Sequence, residues 1–85
     1  MEEKTKASYH GFTLLADRAS ECSQCGLRGW STRVLNRNGF QLADYRPGPW
    51  LSADDAQGWA VELARDEIAR LGETRPADFP HWYSH

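Results

Sequence analysis

The chain has 85 residues, of which 40% are hydrophobic, 26% charged and 12% aromatic. That is one small globular domain, since so short a chain cannot build a second core. Ten Lys and Arg against twelve Asp and Glu leave a formal net charge of -2, without the basic excess that supplies a general phosphate-binding field, so a dedicated nucleic-acid role is disfavoured.

The opening Met1 to Lys6 is charged and has no apolar leader segment. No apolar run approaches the roughly 20 residues of a membrane-spanning helix, and the expectation is a soluble, cytoplasmic protein with no membrane partner. Residues 1–8 read as a flexible N-terminus. Tyr9 to Ala16 read as a first strand, with His10, Phe12, Leu14 and Ala16 on one face and Tyr9, Gly11, Thr13 and Leu15 on the other. From Asp17 to Gly29 the composition turns to Ser, Gln, Glu, Arg and Gly with two cysteines, an irregular and long connection.

Trp30 to Asn36 and Phe40 to Tyr45 are β-prone runs around Asn36-Arg37-Asn38-Gly39. Asn and Gly readily supply the positive φ of a tight turn, so the pattern predicts a hairpin. Trp30, Thr32 and Val34 then share a face with Phe40 and Leu42 across from them, while Arg33, Gln41 and the edge of Tyr45 face the other way. Arg46-Pro47-Gly48-Pro49 cannot continue a central strand, and the sheet is expected to stop there.

Ser52 suits an N-cap, Asp54 and Asp55 suit the positive end of the helix dipole, and Asp55 holds the reciprocal capping-box position. Ala56, Ala60, Val61, Leu63, Ala64, Ile68 and Leu71 then recur at helical spacing as one broad apolar face, up to a C-terminal stop at Gly72. Asp66 and Arg70 stand four apart and are expected to pair. Gly58, between small neighbours, is expected to let the helix approach the strands. The Pro-containing linker 73–78 leads into Phe79-Pro80-His81-Trp82-Tyr83-Ser84-His85, an aromatic tail that either folds back onto the domain or serves a partner.

Two groups of residues could carry function. Cys22 and Cys25 have the spacing that lets both thiolates reach one zinc ion. With two of His10, His81 and His85 they would form a closed, structural site holding one zinc, and otherwise they are reduced loop residues beside surface histidines. A redox role is disfavoured, because the segment after Cys25 lacks the helical pattern that would lower a thiol pKa. Arg33, Arg37, Tyr45, Trp50, Phe79, Trp82 and Tyr83 are candidates for contact with a partner, while Arg28, Arg33, Arg37 and Arg46 form either a local basic patch or, the favoured reading, part of an ordinary solvated sheet face. Trp50 and Trp59 with Tyr45 either frame a small groove or pack as core. Glu67, on the apolar stripe, is expected at its edge with its head in water. No constellation points to catalysis.

The run Tyr9-His10-Gly11-Phe12-Thr13-Leu14, then Trp30 opening a hairpin, then Ser52 and the Ala-rich helix to Leu71, resembles a class of small bacterial proteins. These begin with a Tyr-x-Gly-aromatic strand and continue as three antiparallel strands and a covering helix. The resemblance spans roughly residues 9 to 72 and implies a β-β-β-α fold. Double-stranded RNA-binding domains and HicB-type antitoxins share that shape, but Asp54 and Asp55 stand where the RNA-binding family has a lysine cluster, and that family's first helix is missing.

The expected fold is therefore α+β: a three-stranded antiparallel sheet (about 9–16, 30–36 and 40–45) covered by one C-terminal helix (about 53–71), with an aromatic tail. The expected function is a non-catalytic binding module with a protein partner or a homodimer. The alternatives are a structural zinc domain or a nucleic-acid-binding, antitoxin-like regulator.

Overall fold

The computed structural model of the chain describes residues 3–18 and 29–84. Its elements are β1 (Glu3–Tyr9), β2 (Phe12–Arg18), β3 (Trp30–Leu35), β4 (Gln41–Trp50), α1 (Ala53–Arg70) and β5 (Tyr83–Ser84). All strand pairs are antiparallel, in the order β4-β3-β2-β1-β5. The α+β class and, among the described residues, the single helix agree with the sequence pattern, but the sheet there has five strands rather than three.

The first additional strand comes from the segment read as a flexible N-terminus. His10 and Gly11 both take positive φ, 49° and 86°, so the chain reverses there in a two-residue hairpin of the kind whose twist matches paired strands. Tyr9 faces Phe12 across this turn. The expected strand 9–16 thus straddles a reversal, and Tyr9 joins Phe12, Leu14 and Ala16 on the buried face instead of opposing them.

The β3–β4 hairpin forms as the pattern predicts. The Asn36 side chain accepts from the backbone N–H groups of Asn38 and Phe40, both at 2.9 Å, and Gly39 supplies a φ of 84°. The strand after it departs from expectation in two ways. A register irregularity follows Gln41, so Ala43 lies opposite Val34, Asp44 opposite Arg33 and Tyr45 opposite Thr32. This turns Tyr45 to the helix side and leaves Phe40 70% exposed rather than packed against Val34. In addition, β4 continues through Pro47, Gly48 and Pro49 to Trp50, opposite Trp30. β4 borders the sheet, where a missing proline N–H costs no ladder bond, and a second irregularity absorbs the surplus residues.

Ser52 caps α1 by accepting from the Asp55 N–H at 3.2 Å. At the other end the Gly72 and Glu73 N–H groups return to the Ala69 and Ile68 carbonyls, a Schellman closure that requires the positive φ of Gly72. Ala56, Ala60 and Ala64 are fully buried, and these short side chains seat the helix over β2 and β3. The core consists of Ala7, Tyr9, Phe12, Leu14 and Val34 under Ala60, Val61, Ala64 and Ile68, continued by Ala16, Trp30 and Ala56. Gly58 plays no part in the approach; it is exposed and faces open space. Arg70 pairs with Glu67, not with Asp66, which instead meets Arg75. Leu71, expected on the apolar face, is 54% exposed.

The tail folds back. Trp82 packs against both parts of the core, and β5 adds a short fifth strand to the outer edge of β1, pairing Thr5 with Ser84 and Lys6 with Tyr83.

Candidate functional site

A helix over β2 and β3 covers only part of the sheet, so β4 projects beyond it as a ledge. Along that ledge Phe40 is 70% exposed, Leu42 36%, Tyr45 48% and Leu51, just past the strand, 87%. Three rings hold its middle: Tyr45 meets Trp50 and Trp59 edge-on, with centroids 5.7 and 5.1 Å apart, and Trp50 lies 5.1 Å from Trp59. Tyr45 and Trp50 were expected among partner-contacting residues. The structure brings them together on this ledge and fills the space between them with Trp59, so they form a packed shelf. Phe40, Leu42 and Leu51 were missed, because uninterrupted pairing would have buried the first two. The Pro-Gly-Pro break that lets a strand run on only at a sheet border was the available signal.

On the opposite face of β4, Arg46 donates to Asp44 through Nε and Nη2, both at 2.6 Å, and Gln41 donates to Asp44 at 3.2 Å. Hydrogen bonding from Arg46 holds the Asp44 carboxyl below the usual carboxylate range. Among the described residues, no helix lies on this face. Its central row runs Tyr83, Lys6, Leu15, Arg33, Asp44 across all five strands. Leu15 is buried within it, and the Arg33 Nε is buried without a hydrogen-bond partner among the described residues.

The remaining partner candidates are occupied within the fold to different degrees. Arg37 donates from Nε to the His10 carbonyl at 2.9 Å and grips both oxygens of Glu73, with its guanidinium 5.5 Å from the Phe12 ring centre. It ties two hairpin turns to the end of α1. Trp82 is half-buried against the core, whereas Phe79 is 78% exposed and Tyr83 46% exposed. A shallow groove separates the tail at Phe79 and Trp82 from Asp54, Gln57, Gly58 and Val61 of α1. Of the arginines weighed as a basic patch, Arg33 and Arg46 share the open face and Arg37 lies at the hairpin tip, while Arg28 is outside the described residues.

Sequence reasoning also missed Arg65, which is 7% exposed on the core side of α1. Its Nε donates to the Tyr9 hydroxyl at 3.1 Å, Nη1 to Glu62 at 2.5 Å and Nη2 to the Asp78 carbonyl at 2.7 Å, and the guanidinium stacks 4.6 Å over Phe79. Tyr9 in turn donates to the same Asp78 carbonyl at 2.8 Å. These bonds satisfy a buried cation and clamp the tail to the helix. Spacing held the signal, since position 65 falls on the stripe of Val61 and Ile68.

Of the zinc candidates, Cys22, Cys25 and His85 lie outside the described residues. His10 sits in the β1–β2 turn, where its Nε2 is 2.9 Å from an Asp78 carboxylate oxygen. The connection bearing the cysteines leaves β2 at Arg18 and re-enters at Trp30, which pair at the other end of the sheet. A seven-residue strand is about 20 Å long, which sets His10 well apart from those attachment points. His81 is exposed, and Ser84 pairs with Thr5, nearer the cysteine end. Among the described residues no group of three or more His, Cys, Asp and Glu is arranged to hold a metal, and no helix is long and apolar enough to cross a membrane. In comparisons with protein-family models, curated proteins and solved structures, the chain matches none.

Proposed function

We propose that the protein is a non-catalytic binding module whose ledge on β4 receives a protein partner. The observation that supports this reading is that Phe40, Leu42, Tyr45 and Leu51, on and beside β4, leave apolar side chains in water at a sheet border that is unpaired among the described residues. Several large apolar side chains exposed on one element of a small domain are a feature of interaction surfaces. A free strand border adds unpaired backbone groups that an incoming strand can satisfy. The aromatic shelf of Tyr45, Trp50 and Trp59 gives the site a rigid centre of the residue types that anchor protein interfaces.

Site-specific photo-crosslinking in intact cells tests this reading, with a benzophenone amino acid placed at Phe40, at Leu51 or, as a control, at exposed Ala69 on α1. Protein adducts are expected from the first two positions and not from the third, and are expected to fade when Leu42→Asp is added. Equal adducts from all three positions, or adducts indifferent to Leu42→Asp, overturn it.

A further inference from the structure

We infer that the occupant of the β4 ledge is a second copy of this chain, paired antiparallel with β4 about a two-fold axis at Tyr45. This rests on the binding reading above and names its partner. In an antiparallel pair, residues directly opposite project to the same face, so identical strands can slide past one another only in steps that keep like faces together. Asp44 and Arg46 both project to the open face of β4, on either side of Tyr45.

With Tyr45 opposite its own copy, Asp44 of each chain meets Arg46 of the other, and the two intrachain pairs merge into a ring of four alternating charges. One step in one direction sets Asp44 against Asp44, and one step in the other sets Arg46 against Arg46. Like charges directly opposite destabilise a sheet, so only the Tyr45-centred alignment is favoured among the three.

The same alignment brings Phe40 of one chain to the end of the strand where Trp50 and Leu51 of the other lie. It therefore covers the two most exposed ends of the apolar row, Phe40 at 70% and Leu51 at 87%, by one isologous contact. The prolines at 47 and 49 cannot donate to a neighbouring strand. They limit ladder pairing to Asp44, Tyr45 and Arg46 of each chain, so that side chains alone cover the ends of the row.

Sedimentation of the full chain over a concentration series, with circular dichroism to confirm folding, tests the inference by charge exchange. The wild type is expected to dimerise. Asp44→Arg and Arg46→Asp are each expected to weaken self-association about tenfold or more, about 1.4 kcal/mol at the least. An equimolar mixture of the two variants is expected to recover a dimer, because each then opposes two cations to two anions. A wild type still monomeric at about 1 mM, or a dimer indifferent to both substitutions, overturns the inference. A monomer that nonetheless crosslinks to a different protein through Phe40 and Leu51 overturns this inference alone and leaves the binding reading standing. If Asp44→Arg fails to fold, Arg46→Asp with added Asp44→Asn decides, and if Arg46→Asp fails to fold, Asp44→Arg with added Arg46→Gln decides: restoring association by removing the repelled charge supports the register, and failing to restore it refutes it.

Discussion

Gly11 shows how much a single position can carry. Its φ of 86° lies in the region that costs an L-residue about 1 to 2 kcal/mol, and a Cβ there would stand 2.9 Å from the Arg37 Cγ. Gly39 has nearly the same φ, 84°, but nothing within 4 Å of where its Cβ would be. Gly39→Ala is therefore expected to cost the backbone term alone, while Gly11→Ala also displaces Arg37 from the His10 carbonyl and from Glu73. Denaturant unfolding of the two variants is expected to show the larger loss at Gly11, and equal losses would mean that the Arg37 contact carries no stability. The sequence displayed Tyr9-His10-Gly11-Phe12, yet the turn stayed hidden, because unbroken alternation through a strand and a mirror pairing across a two-residue turn both place apolar residues at regular intervals. Arg65 was hidden for a different reason. A charge on an apolar stripe reads as a polar residue at its border until the acceptors it reaches are known, and here those are Tyr9 and the Asp78 carbonyl, far away in the chain.

Among the elements, α1 was the most legible, since cap, dipole charges, apolar spacing and stop all lie within one continuous segment; it spans Ala53–Arg70 against an expected 53–71. The strands were less so, because pairing partners come from distant segments: β1 is charged in sequence and becomes a strand only by lying between β2 and β5. On the candidate ledge, Tyr45 and Trp50 were legible as aromatics next to a sheet border, whereas the exposure of Phe40 and Leu42 depended on an irregularity that no alternation pattern announces. Gly58 reverses its expected role. It sits in the interior of α1 with open space where a Cβ would go, so nothing in the fold requires glycine there. Gly58→Ala is expected to stabilise the domain by roughly 0.5 to 1 kcal/mol, through lower chain entropy in the unfolded state and better helix propensity. Thermal unfolding checks this, and a lower midpoint would show that the groove facing the tail needs that space.

At the scale of the whole molecule, the sheet and α1 are held together by polar ties between segments far apart in the chain. Arg65 and Tyr9 share the Asp78 carbonyl, His10 meets the Asp78 carboxylate, and Arg37 joins the β3–β4 turn to Glu73 after α1. The partners of these ties hold several carboxyls below the ordinary range: hydrogen bonding from His10 lowers Asp78, that from Arg37 lowers Glu73, and that from Arg70 lowers Glu67. A carboxyl whose pKa is lower in the folded chain than in the unfolded one stabilises the fold fully above its unfolded value, and that contribution disappears as pH falls through the folded value. The melting midpoint is therefore expected to hold steady from neutral pH down to about 4 and to fall below it, as these groups protonate. The Glu73 tie isolates the effect, because Arg37 stays charged throughout and Gln has nearly the shape of a protonated Glu. Glu73→Gln is expected to melt below wild type at neutral pH, with the two curves converging in strong acid. Because the pair is exposed, added salt should narrow the gap at neutral pH. Curves that stay parallel down to strong acid would assign the loss to something other than the Arg37–Glu73 charge pair, and would leave Arg37 to act through its bond to the His10 carbonyl and its packing on Phe12.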